Sequence, residues 1–271
     1  MEVFTDYGKF SDRKYPMNNS ILLLYPIVNV VVTAVFAGVV LRQYLRRHRI
    51  YQLYWAIGLT MAFLATLAYV LMIVVRPASD AGVLFFRIYY ILGAALVPAW
   101  LGLGSIALVT STRVQRICLT ILCVLSVLAA VLIALAPVDL SRLSHIAGTP
   151  GTGILQPGAW LITIIILNTL GVLAVVGVAI YSGWKLVSRQ RRVADLSTSN
   201  ILWANVLILI GDLLNGAAGT LARLLGVEST FWLVMSLGWV VFLIGVLLAS
   251  RRSISKTSMV QERSQKEIAS L

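Results

Sequence analysis

The chain is predicted to be an all-α membrane protein: a bundle of seven transmembrane helices with its N-terminus outside and its C-terminus in the cytoplasm. Three observations predict it. Of 271 residues, 59% are hydrophobic and 12% are charged, and a mean hydropathy of +0.92 leaves too little polar surface for a soluble domain. The apolar residues fall into seven long runs with short loops between them, and those loops alternate between rich and poor in Lys and Arg. The net charge of +12 does not indicate nucleic acid, because the bases sit at helix ends and form no polar face.

Crossing about 30 Å of hydrocarbon takes roughly 20 apolar residues as a helix. That length predicts helices over 20–43, 51–75, 84–110, 114–136, 159–185, 200–225 and 230–250. None of the runs alternates as a barrel strand does, and in lipid each backbone must satisfy its own hydrogen bonds.

Residues 1–19 form an external tail in this reading, since acids and aromatics precede the first helix without a basic leader or a cleavage site. The first helix carries Asn29 and ends in Arg42, Arg46, Arg47 and Arg49; Tyr51 and Trp55 then open the second as interfacial anchors. The third helix holds Arg87, Tyr89, Tyr90 and Pro98. The fourth carries Cys118 and Cys123, which point to different faces and are expected to be packing residues without a mutual disulfide.

Between the fourth and fifth helices, 137–158 is the longest loop, rich in turn formers from Thr149 to Pro157, and nothing in it resembles a folded domain. The fifth helix carries Asn168, the sixth Asp212. Residues 251–271, polar and of mixed charge, are expected to be a cytoplasmic tail too short for an enzymatic output domain.

Orientation follows from charge. Arg42 to Arg49, then Arg113 and Arg116, then Lys185, Arg189, Arg191 and Arg192, and finally the basic tail share one side. The opposite side holds isolated bases offset by acids, such as Arg142 with Asp139 and Arg223 with Glu228. The positive-inside rule makes the first side cytoplasmic, in the reading of the chain as a protein of the cell (cytoplasmic) membrane.

A parallel 3+1+3 repeat is a further expectation, with the fourth helix as linker. Trp55 and Trp203 stand at equivalent depths after arginine clusters, and Phe86 precedes Gly93 by the same seven residues that separate Phe231 from Gly238.

Polar residues at depth are the best indicators of a site, since a charge near the bilayer centre costs about 2.5–3.5 kcal/mol on insertion scales. Asp212 lies near the middle of the sixth helix. Asn205, Asp212 and Gly219 recur at seven-residue spacing, and Asn215 and Gly216 follow one turn beyond Asp212. That polar, small-residue stripe should face the bundle interior. In a functional reading Asp212 holds a proton, a cation or a ligand amine, with Asn205 and Asn215 orienting it; in a structural reading it bonds a neighbouring helix. The expected partner face runs along Arg87, Tyr90, Ala94, Pro98, Leu101 and Ser105 of the third helix. Arg87 either reaches towards Asp212 or snorkels to the interface. Asn29 and Asn168 occupy similar depths and either line the same cavity or bond between helices.

Several chemistries are excluded. A retinal Schiff base needs a lysine that 231–250 lacks, and a membrane haem needs intrahelical histidines, whereas His48 and His145 stand in loops. Intramembrane proteolysis lacks its second catalytic residue, and neither a phosphate-binding glycine loop nor a zinc spacing occurs. No cofactor or metal is expected, and the chain does not read as an enzyme.

The run Arg46–Arg49 with Tyr54, Trp55, Gly58 and Leu59, then Phe86, Arg87, Tyr89, Tyr90, Gly93, Ala94, Trp100, Leu101, Gly102, Gly104 and Ser105, and later Gly219 to Arg223, resembles a group of uncharacterised prokaryotic seven-helix integral membrane proteins of unknown activity. The resemblance implies the seven-helix plan and no particular chemistry.

The residues predict a multi-pass membrane protein that binds a small molecule or ion between its third and sixth helices, as a transporter coupled to protons through Asp212. The alternatives are a sensor signalling through a partner protein and a non-catalytic subunit packed against membrane proteins or lipids.

Overall fold

A computed structural model of the chain describes residues 19–190, 196–224 and 230–268, with side chains over 23–185, 202–218 and 230–249. The long elements are all helical: α1 (Asn19–Arg47), α2 (Ile50–Val74), α3 (Asp80–Tyr89), a π-helical segment (Tyr90–Leu96), α4 (Val97–Val109), α5 (Thr112–Leu135), the single turn α6 (Leu140–Leu143), α7 (Ala159–Gln190), α8 (Leu196–Leu224) and α9 (Phe231–Ile268). Among the described residues no strand occurs, only one backbone bridge between Val138 and Leu155.

Six spans are long and apolar enough to cross a membrane: Leu23–Arg47, Ile50–Val74, Asp80–Val109, Thr112–Leu135, Ala159–Lys185 and Phe231–Ala249. A shorter apolar stretch, Leu202–Ala218, lies within α8. The outer surfaces agree with lipid as solvent: α5 exposes Ile117, Ile121, Val124, Val127 and Leu135, and α7 exposes Ile162, Ile165 and Leu170. Such faces would aggregate in water and are at home in hydrocarbon. The chain is a multi-pass helical membrane protein.

Helix ends fall within a few residues of the expected positions, with larger extensions at Arg47, Gln190 and Ile268. The α9 backbone runs helically through residues expected to form a polar tail. Residues 1–18 of the expected external tail, Lys9, Arg13 and Lys14 among them, lie outside the described residues, as do the side chains of Gly219 to Glu228 and of the C-terminal residues.

Lipid supplies no hydrophobic drive between helices, so small residues and backbone approach decide the packing. Gly102 on α4 faces Gly171 on α7; a Cβ on Gly171 would collide with the Pro98 carbonyl and come within 2.7 Å of the Ala99 nitrogen. Gly211 on α8 faces the Phe242 backbone on α9, and Gly245 faces Ala204 and Ile208. These two helices pack more extensively than any other described pair.

Many of the aromatic side chains form two groups, buried or half-buried. Near the end carrying loop 137–158, Tyr69, Phe86, Tyr89, Tyr90, Trp160, Phe231 and Trp232 are in ring-to-ring contact. Towards the arginine-rich end, Phe36, Trp55, Trp239 and Phe242 form the second group.

Trp55 corrects an expectation. It is no interfacial anchor: its Nε1–H donates to the Leu101 carbonyl at 3.1 Å, and its ring fills the notch left by Gly104. Trp203, its counterpart in the expected repeat, is 59% exposed, so the matched tryptophans occupy unlike environments.

Candidate functional site

A cavity of about 650 Å³ lies inside the bundle, within the range of small-molecule sites. α2, the α3–π–α4 helix, α7, α8 and α9 line it, and Pro150 and Thr152 of the 137–158 loop close one end.

The third span is irregular where it meets the cavity. Pro98 has no N–H to offer the preceding turn and crowds the carbonyl four residues back. The turn before it is widened into the π segment, where the Val97 N–H donates to Leu92, five residues earlier. Widening changes which residues share a face. The cavity face becomes the adjacent pairs Tyr89 and Tyr90, Gly93 and Ala94, Val97 and Pro98, followed by Leu101, a broader face than regular helical spacing predicts. Ser105 is not on it; its hydroxyl donates to the Leu101 carbonyl at 3.1 Å.

Asp212 lies on the cavity wall, 5% exposed. Its Oδ2 has no hydrogen-bond partner, and the same holds for both amide atoms of Asn215 and for Oδ1 of Asn168, which line the cavity with it. Thr66 and Thr169 add hydroxyls to the lining. Gly211 packs on Phe242 and Gly238, and Asn215 sits against Gly238, so the acid is level with that part of α9. Trp232 stands six residues before Gly238, about 9 Å along the helix axis. Asp212 thus marks one end of the cavity and the Tyr89–Trp232 aromatic group the other.

Of the sequence-predicted site residues, Asp212, Asn215, Asn168 and Tyr90 meet in this cavity. The other three stand elsewhere. Arg87 points away: its Nη2–H donates to the Ala136 carbonyl at the end of α5, 3.3 Å away. No ion pair joins it to Asp212 among the described residues; Tyr90, three residues on, lines the cavity while Arg87 faces α5. Asn29 is 0% exposed on α1, with both amide atoms unpartnered, and does not line the cavity. Asn205 lies two turns from Asp212 on α8, with Nδ2 buried and unpartnered, also outside the lining.

Sequence reasoning passed over Tyr69, Thr66, Trp232 and Trp239. Tyr69 holds the closing loop. Its hydroxyl accepts from the Gly148 N–H at 3.0 Å and lies 3.0 Å from the Ile146 carbonyl and 2.9 Å from that of Thr149, either of which can take its proton. The Tyr89 hydroxyl donates to the Pro150 carbonyl at 3.2 Å. A signal was available, since Tyr69 and Thr66, at i and i−3 in the otherwise apolar stretch 61–74, mark a polar stripe.

The loop is more ordered than its turn-rich composition suggested. Leu143, Ile146, Ile154 and Leu155 are buried, and Gly151 takes a φ of +75° directly against Phe86 and Ile146, a conformation that suits glycine. Asp139 caps α6 by accepting from the Ser141 and Arg142 N–H groups at 3.0 and 3.1 Å, and pairs with Arg142 at 3.4 Å. The Arg142 N–H, then the Ser141 hydroxyl, hold the Asp139 carboxyl below the usual carboxylate range.

Fold and cavity define a class: a polytopic helical membrane protein with a small-molecule-sized cavity in which, among the described lining residues, Asp212 is the one carboxylate. No protein-family model, curated protein or solved structure matches the chain.

Proposed function

We propose that the chain is a seven-helix transporter of the cytoplasmic membrane which binds a small molecule in this cavity and couples its passage to protonation of Asp212. The observation that carries the reading is the meeting of Asp212, Asn215 and Asn168 as unpartnered polar groups in one cavity of about 650 Å³. Buried polar groups without partners are costly, and a ligand that supplies the partners explains their retention. A subunit serving only as packing would be expected to have a narrow, filled interior.

Supporting the count of seven, α8 is 29 residues long, more than the roughly 20 needed to span. The basic loops support the orientation, with 137–158 outside. Alternating access is supported by the cavity's position between two closures, the Tyr69- and Tyr89-held loop at one end and the Trp55, Trp239 and Phe242 group at the other. Described titratable groups facing the cavity are Asp212 on α8 and Tyr89 and Tyr90 on the third span; α2, α7 and α9 present none.

The test is thermal stability of the purified protein against a metabolite and ion library at two pH values, for wild type and Asp212→Asn. A ligand that stabilises wild type pH-dependently, with the dependence lost in the variant, is the expected result. A full library with no shift in either protein overturns the reading in favour of an assembly subunit.

A further inference from the structure

The composition of the cavity wall restricts what it takes. Among the described lining residues there is one carboxylate, Asp212, and no Lys, Arg or His. An ionised Asp212 therefore has no positive partner in the lining, and neutralisation comes from a proton or from the ligand itself. One acid balances one positive charge.

Volume and chemistry then separate kinds of cation. A bare metal ion needs no cavity of about 650 Å³, and hard cations ask for six or more oxygens. No group of three or more candidate metal ligands occurs among the described residues. Besides Asp212, the amides of Asn168 and Asn215 and the hydroxyls of Thr66, Thr152 and Thr169, the described wall is apolar or aromatic, and Tyr89, Tyr90, Phe231, Trp232 and Trp239 all line it. Aromatic faces attract ammonium groups through their quadrupole, indole most strongly. Trp239 directly follows Gly238, which packs on Gly211 beside Asp212, and it is held by a stacked contact with Phe242, rings 11° apart in plane. Acid and indole thus stand at the same end of the cavity.

We propose that the cavity binds a monovalent organic cation, with an ammonium-type group at Asp212 and Trp239 and an apolar or aromatic body towards Tyr89, Tyr90 and Trp232. The inference rests on the proposed function above and names its ligand class. The cation and the proton compete for one carboxylate, so occupancy by either excludes the other. That exclusion is the exchange condition a proton-coupled carrier requires.

The test uses the full chain in detergent or nanodiscs and three probes of similar size: benzyltrimethylammonium, neutral benzyl alcohol and anionic benzenesulfonate. Titration calorimetry should show binding of the cation alone, tightening as pH rises. Asp212→Asn should weaken it at least tenfold and remove the pH dependence, Asp212→Glu should retain both, and Trp239→Leu should weaken it about 2- to 30-fold. Unfolding temperatures of the variants near wild type show that they are folded. Equal binding of benzyl alcohol, or cation binding unchanged in Asp212→Asn, overturns the cation assignment and leaves a cavity for neutral ligands. No binding of the cation at millimolar concentration also overturns it. Uptake into proteoliposomes separates the two proposals: cation binding without uptake defeats transport and leaves the cation site standing, whereas pH-driven uptake of benzenesulfonate, lost in Asp212→Asn, does the reverse.

Discussion

The Tyr69 hydroxyl, in the last third of α2, holds the backbone N–H of Gly148 in the loop between α5 and α7 at 3.0 Å. Tyr69 is 0% exposed, so this bond and the one it donates to Ile146 or Thr149 are shielded from water. Two segments 79 residues apart are thereby joined at one end of the cavity.

Tyr69→Phe should therefore loosen the loop. It leaves the Gly148 N–H and two carbonyls without their partner, a cost of about 1–3 kcal/mol for an unsatisfied buried group. Hydrogen exchange over 146–151 should accelerate and the unfolding temperature fall. Tyr89→Phe, which loses one bond to Pro150, should do so to a smaller extent. Unchanged exchange in both variants would mean that the apolar contacts of Ile146 and Ile154 hold the loop without the hydroxyls.

Helix glycines should divide by what surrounds them. Gly171→Ala forces a methyl into the Pro98–Ala99 backbone and should cost about 1–3 kcal/mol, as overpacking does. Gly177→Ala, on the same helix with nothing within 4 Å, should be neutral or stabilise by up to about 1 kcal/mol through helix propensity. Thermal unfolding of the pair checks this, and equal effects would count against the close α4–α7 crossing.

Arg87 and Asp212 should behave independently. Arg87→Gln removes the bond to the Ala136 carbonyl and should lower stability without altering the pH dependence of ligand binding, whereas Asp212→Asn should abolish that dependence. Calorimetric titration across pH distinguishes them. A shifted pH profile in Arg87→Gln would restore the charge couple that the sequence allowed.

Acid should release the loop's first turn. The carboxyl of Asp139 is held below its ordinary range by the Arg142 and Ser141 N–H groups and the Ser141 hydroxyl, so its cap contributes above the unfolded carboxylate pKa and is lost as pH falls through the folded one. Exchange at 140–145 should rise in that acidic window after correction for intrinsic rates. Asp139→Asn should flatten the pH dependence, and an identical profile in the variant would assign the acid response to another group.

Much of the architecture was legible because lipid imposes it residue by residue: long apolar runs must be helical, and Asp212 and Asn215 in such runs must face inward. Arg87 shows where that logic ends. Regular helical spacing put it on one face with Tyr90 and Ala94, but those two line the cavity while Arg87 turns to the Ala136 carbonyl of the neighbouring α5 end. Asn29 and Asn168 looked equivalent in sequence. Only the packing of α7 against α8 brought Asn168 to the cavity and left Asn29 on α1.

By itself the sequence determined a membrane-embedded, all-helical chain, because hydropathy over 20 residues is a local property that the bilayer reads directly. Tertiary structure alone decided which polar residues meet, that Trp55 bonds Leu101 across two helices, and that the 137–158 loop closes a cavity over Tyr69 and Tyr89. Those outcomes depend on crossings between Gly102 and Gly171 and between Gly211 and Phe242, contacts between segments far apart in the chain that no local pattern encodes.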